Sequence, residues 1–219
     1  MAPLVVERLG RLSYAEGMKL QEARVAARRA GEANDTLLLL EHDPVVTLGR
    51  GSHEENLRRP RESLAARGVE VFEVNRGGDV TYHAPGQLVG YPILDLDARD
   101  ARDLHRYLRG LEAGLCEVLD SFGVPPQIVE GRTGVFVETP AGARPRKIAS
   151  IGVGARGWVT FHGFALNVDL DLAGFDVIVP CGLADVEMTS IARELGEVPD
   201  GLFAETEARV IEVFRRRFA

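Results

Sequence analysis

Apolar residues recur every three or four positions from Leu104 through Leu108, Leu111, Leu115 and Val118 to Phe122, which predicts an amphipathic helix. Asp103 can cap its start, and Gly123 with Pro125 ends the run. A second helix is predicted over residues 13–31, where Ser13 and Glu16 have the spacing of a capping box. Pro60 opens a short helix that Gly68 closes, and Pro199-Asp200-Gly201 precedes a last amphipathic one carrying Phe203, Val210, Phe214 and Phe218. Strands are expected at residues 4–9, 36–41 and 45–48, the latter two around the Asp43-Pro44 turn, and at 69–74 and 87–96. Residues 133–138, 148–154 and 157–168 are β-rich and punctuated by glycine. Strands and helices mix without regular βαβ alternation, so the expected fold class is α+β, a mixed β-sheet flanked by helices. No repeat or linker interrupts the pattern, and one domain spanning 1–219 is expected.

The composition narrows the function classes. A formal charge of −7 argues against a nucleic-acid binder, which would present a net basic face. No apolar run approaches the roughly 20 residues of a membrane span, and the N-terminus lacks the pattern of a signal peptide. Two cysteines make no disulfide framework and the chain has no metal-ligand clustering, so a cytoplasmic protein with no metal is expected. Of the 26 basic residues only Lys19 and Lys147 are lysines. Lysine can lose its proton near neutrality and arginine cannot. Lys19 falls in a helical pattern and reads as surface, whereas Lys147 stands between Pro145 and a glycine-rich strand.

Three segments carry candidate chemistry. The first is Arg76-Gly77-Gly78-Asp79-Val80-Thr81-Tyr82-His83, followed by Ala84-Pro85-Gly86-Gln87. Its two glycines let a backbone loop approach a ligand closely, Arg76 could bind an anion, and His83 could bond a substrate oxygen. The second is Pro180-Cys181-Gly182, where a turn ending an apolar run can present a thiol; Cys116, inside the long helix, reads as packing. A nucleophilic thiol needs a nearby cation or base, for which Lys147, His83 and His162 are candidates. The third pairs Lys147-Ile148-Ala149-Ser150-Ile151-Gly152 with His162-Gly163-Phe164-Ala165-Leu166-Asn167. Strict alternation puts Lys147, Ala149 and Ile151 on one face and Ile148 and Ser150 on the other. Glycines at 152 and 163 would leave a groove for an extended apolar chain, lined by Ile151, Phe164 and Leu166.

Together with His42-Asp43-Pro44-Val45-Val46-Thr47-Leu48-Gly49-Arg50, these segments resemble the lipoyl(octanoyl) transferase family in their order along most of the chain. The resemblance implies the fold shared with biotin and lipoate protein ligases. It implies transfer of octanoyl from acyl carrier protein to the lysine of lipoyl domains, those of 2-oxoacid dehydrogenase complexes and the glycine cleavage H protein. It further implies Cys181 as the thioester carrier, Lys147 as its acid/base partner, and an acyl site formed by Arg76 to His83, Ser150, Ile151, Gly152, Gly163, Phe164 and Ala165, with no cofactor. Ala84 stands where the family more often has glycine, and alanine would be strained there only if φ were positive. Acidic partners would need a locally basic surface, for which Arg50, Arg58, Arg59, Arg61, Arg144 and Arg146 are candidates. Two rival readings are an ATP-dependent lipoate ligase of the same fold and a non-catalytic acyl carrier.

Overall fold

The computed structural model describes residues 3–218 apart from 141, 183 and 184, and describes the backbone but not the side chain of Cys181. Eleven strands are present among the described residues: β1 (Val5–Leu12), β2 (Thr36–His42), β3 (Val45–Leu48), β4 (Glu70–Glu73), β5 (Val80–His83), β6 (Gln87–Ile93), β7 (Pro126–Gln127), β8 (Val135–Val137), β9 (Arg146–Arg156), β10 (Val159–Asn167) and β11 (Glu187–Met188). The α-helices are α1 (Tyr14–Arg29), α2 (Arg61–Ala65), α3 (Leu104–Asp120), α4 (Ile191–Leu195) and α5 (Leu202–Arg217). An eight-stranded sheet runs β1-β2-β6-β10-β9-β8-β7, with β11 beside β9. The β1–β2 and β11–β9 pairs are parallel and the others antiparallel, so the sheet is mixed as expected. A smaller sheet, β4-β3-β5, stands apart.

Local chemistry accounts for the helices. Ser13 accepts from the Glu16 backbone N–H while Glu16 accepts from Ser13, closing the capping box that starts α1. Asp103 accepts from the N–H of Arg106 at the start of α3, whose buried stripe includes Tyr107, Leu111, Leu115 and Val118. This stripe and the Val210–Phe214 face of α5 cover one side of the large sheet around Leu37, Leu88, Phe164 and Leu166. The other side carries a smaller cluster of Leu38, Leu40, Val89 and Tyr91 with Val25 of α1. The small sheet has its own core, built from Val46, Val80, Tyr82, Phe175 and Ile178. Among the described residues no helix is long and apolar enough to cross a membrane.

Three features depart from the expected pattern. Residues 80–83, read as part of a loop, form β5, which pairs antiparallel with β3; all four are buried, so no polar alternation marks the strand. The pairing of β8 with β9 shifts between Val135, opposite Ala149, and Phe136, opposite Lys147. This bulge breaks the alternation of β9 and allows Lys147 and Ser150 to face one cavity, where strict alternation had separated them. Leu166 is fully buried in the core beneath the sheet and lines no groove. Ala84 is buried and is not among the residues with positive φ, so alanine is accommodated there.

Candidate functional site

A cavity of about 380 Å³ lies where the two sheets meet. One end is formed by Asp79, Lys147 and residues 131–133, and the other by Tyr14, His83, Tyr91 and His162. Val89, Ile151, Phe164 and Ala165 supply apolar wall between them. Of the predicted binding residues, Arg76, Gly78, Asp79, Val80, Thr81, His83, Ser150, Ile151, Gly152, Gly163, Phe164 and Ala165 line this cavity. Gly77 and Tyr82 do not. The Gly77 N–H donates to Val153 O at 2.9 Å, tying the loop to β9, and the Tyr82 ring packs edge-on against Phe175 in the small core.

Arg76 is buried and works as a clamp. Its Nη2 donates to Thr47 O at 2.8 Å and Thr47 Oγ1 at 2.9 Å, and its Nη1 donates to Gly77 O at 3.1 Å. These bonds hold the loop to β3 while Arg76 also lines the cavity. Gly152 is needed for the same contact, since a Cβ there would stand 2.8 Å from Gly77 O and 3.0 Å from Arg76 Cδ. The gap foreseen at Gly152 is thus occupied by the loop itself.

Lys147 is 2% exposed, and its Nζ donates to Thr133 O at 2.9 Å and lies 5.4 Å from the centre of the Phe136 ring. Its side chain runs past Gly134, whose φ is +115° and whose N–H donates to the buried Glu112 carboxylate at 3.0 Å. A Cβ on Gly134 would meet Ala149 O at 2.5 Å and Lys147 Cε at 2.7 Å. Gly134→Ala is therefore expected to cost about 2–3 kcal/mol in urea unfolding, through backbone strain and crowding together.

The Pro180–Gly182 turn, a single 3₁₀ turn, packs on β5. Gly182 has φ +65°, and a Cβ on it would stand 2.5 Å from Asp79 Oδ2. That carboxylate, which lines the cavity, accepts from Asn56 Nδ2 at 2.6 Å and from the Val80 N–H at 2.7 Å. The backbone carrying Cys181 is thereby held at the rim, while its side chain lies outside the described residues. Cys116, half-buried in α3, has its thiol pushed up to about 11 by burial and by the nearby Asp120 and Glu112 carboxylates.

Hydrogen bonds fix the histidine tautomers. Gln87 Nε2 donates to Tyr82 O and to Asn167 Oδ1, so its Oε1 is an acceptor and His83 Nδ1 is the donor across 2.7 Å. Asn167 Nδ2 donates onward to Thr189 O at 2.8 Å. His42 Nδ1 donates to Leu12 O at 3.2 Å, leaving Nε2 to accept from the Tyr91 hydroxyl at 2.8 Å. Burial pushes His83 and His162 down to about 3 and His42 to about 4. All three are neutral near pH 7, so neither His83 nor His162 supplies the cation that the sequence left open.

This has a measurable consequence. The unfolded chain takes up these three protons as pH falls below 6.5, the ordinary histidine value, while the folded chain waits until about 3–4. Their contribution is full above pH 6.5 and is lost as pH falls through that window. At about 1.4 kcal/mol per group per pH unit, stability should drop on the order of 4 kcal/mol between pH 7.5 and 5.5 in urea titrations. Unchanged urea midpoints would mean that the imidazoles take up protons near the ordinary histidine value in the folded state as well.

The expected basic surface is partly neutralised. Arg146 pairs with Glu194 at 2.8 Å, and Arg61 with Glu73 at 2.9 Å and Glu54 at 3.3 Å. Sequence reasoning did not single out Tyr14, Val89 or Tyr91 as cavity residues. The same-face spacing of Val89 and Tyr91 along β6 was a usable signal, whereas Tyr14, on the first turn of α1, gave none.

The profile of the lipoyl protein ligase A/B catalytic domain matches residues 13–215. The chain is 49% identical over 216 residues to an octanoyltransferase of Acidobacterium capsulatum, covering 96% of this chain and 86% of that protein. Solved structures resemble it in fold. One is that of the archaeal bipartite lipoate protein ligase system of Thermoplasma acidophilum, with a TM-score of 0.75 and 16% identity over 100% of this chain and 84% of that one. Another is the biotin protein ligase of Aquifex aeolicus, with a TM-score of 0.55 and 13% identity over 99% and 70%. The mixed sheet and its flanking helices are thus the catalytic fold of lipoate and biotin protein ligases, and the chain belongs to the octanoyltransferase family built on the lipoyl protein ligase A/B catalytic domain.

Proposed function

We propose that this chain is an acyltransferase that takes octanoyl from acyl carrier protein onto Cys181 and passes it to the lysine of lipoyl domains, with Lys147 moving the protons. The acceptors would be lipoyl domains of 2-oxoacid dehydrogenase complexes and the glycine cleavage H protein. The observation that carries the reading is one cavity with apolar walls, Lys147 at one end, and the backbone of the Pro180–Gly182 turn seated against the Asp79 carboxylate at its rim.

The chemistry balances without a cofactor. With Lys147 protonated and the Cys181 thiolate favoured, Cys181 Sγ bonds to the thioester carbonyl carbon, the donor's C–S bond breaks, and the Lys147 proton goes to the departing thiolate. One thioester replaces another, so the step is close to even and needs no ATP. The acceptor lysine then adds to the acyl carbonyl as a neutral amine. Lys147 takes its proton, the Cys181 C–S bond breaks, and an amide leaves with the thiol restored. Kinetics should be ping-pong. Neutral His83, with Nδ1 engaged by Gln87, presents Nε2 as an acceptor at this site.

Intact-mass analysis after exposure to octanoyl-acyl carrier protein should show one octanoyl adduct. Octanoyl-adenylate formed from free octanoate and ATP, with no adduct from the carrier protein, would transfer the assignment to the ligase reading. Binding of octanoate with neither product would make the protein an acyl carrier.

A further inference from the structure

A second cavity of about 270 Å³ lies behind the first, lined by Met18, Gln21, Val25, Phe72 and Phe161. Tyr14 and His162 line both cavities and so form the partition. His162 pairs with Val153 across β10 and β9, while the Lys147 side chain runs along β9 to the level of Ala149, where Gly134 packs on it, so four residues of strand, about 13 Å, separate the Lys147 ammonium from the imidazole. It therefore stands at the end of the first cavity remote from Lys147.

The His162 ring is costly to keep where it is. The residue has φ +55°, a left-handed conformation that few residues besides glycine adopt, though His, like Asn and Asp, enters it more readily than most. It is 3% exposed, and its Nε2 is buried with no hydrogen-bond partner in the structure. Its backbone N–H is held by Gln21 Oε1 of α1, and its ring packs edge-on against Tyr91 at 6.1 Å. Nothing in the packing of the strand requires an imidazole: glycine would relieve the backbone and remove the unpaired nitrogen. Tyr14 is different, since its ring is embedded between His42 and Phe72 in the core.

We propose that His162 sets the acyl-chain length the enzyme accepts, by closing the first cavity against the second. This rests on the reading of the first cavity as the acyl site. A chain with its carboxyl end near Lys147 extends along β9 and β10 and meets the imidazole with its methyl end. Removing the ring merges the cavities and admits longer chains.

The test compares kcat/KM for octanoyl, decanoyl, dodecanoyl and tetradecanoyl thioesters of acyl carrier protein in the wild type and in His162→Gly. His162→Asn serves as a second variant that also tolerates positive φ, and melting curves confirm that both fold. The ratio of dodecanoyl to octanoyl efficiency should rise by roughly tenfold or more in the variants, as expected when a pocket gains room for added methylenes. Filling the second cavity with Met18→Trp in the His162→Gly background should return the ratio toward wild type. A folded variant whose efficiencies fall in parallel at every length overturns the inference while leaving octanoyl transfer standing. A wild type that transfers no acyl group removes the acyl-site reading and the inference with it.

Discussion

Cys181→Ala should lose octanoyl transfer by at least roughly three orders of magnitude, since on the proposed mechanism it removes the nucleophile and the covalent route and leaves only binding and orientation. The protein should remain folded, because the turn is held by its backbone: Gly182 N–H donates to Val179 O at 3.0 Å and Val179 N–H to Asn56 O at 2.8 Å. Cys116→Ala is the internal control. Burial and neighbouring carboxylates keep that thiol protonated at neutral pH, so its removal should leave most activity and the octanoyl mass adduct intact. Transfer by Cys181→Ala at a rate near wild type would end the thioester mechanism.

The second large effect is expected at Lys147. On the proposed mechanism, arginine would keep the positive charge that favours the Cys181 thiolate but could not give up a proton at neutral pH. Lys147→Arg should therefore still form some acyl-enzyme, yet lose roughly 10²–10⁴-fold in transfer to the acceptor lysine, the range for removing a positioned acid/base group. The site is tight, with Thr133 O, Phe136 and Gly134 around the side chain, so Lys147→Met provides a slimmer comparison without charge. It should be poor in both half-reactions, separable by single-turnover measurement of adduct formation and adduct discharge. Equal and small effects on both steps would make Lys147 a structural residue.

Much of the molecule was legible along the chain because its signals are local. The capping box at Ser13, the three-and-four period of α3 and the glycine after each were sufficient to place those helices. Segments 76–83, 150–152 and 163–165 could be picked out as candidate site residues from their motifs, and most of them converge on one cavity. What could not be read depends on contacts between distant segments. β5 is buried on both faces, so its pairing with β3 leaves no alternation to detect. The bulge that brings Lys147 and Ser150 to one cavity arises from pairing with β8. The hold of Arg76 on Thr47, 29 residues away, leaves no signal along the chain. The partition between the two cavities needs Tyr14 and His162, which stand nearly 150 positions apart and acquire meaning only when α1 lies on β10.

The strand order of the large sheet also bears on how the chain is made. β6 sits between β2 and β10, so its residues 87–93 pair on one side with a strand already synthesised and on the other with residues 164–167. As the chain leaves the ribosome, residues 87–90 wait with one row of backbone groups unpaired until their β10 partners emerge more than 70 residues later. Loop closure over that distance slows folding relative to a helical chain of the same size. An apolar strand edge open for that long invites pairing with other chains. Overexpression at high temperature should accordingly drive more of the nascent protein into aggregates than slow expression in the cold. α3, complete well before β10 appears, can meanwhile cover Leu37 and Leu88 on the half-built sheet.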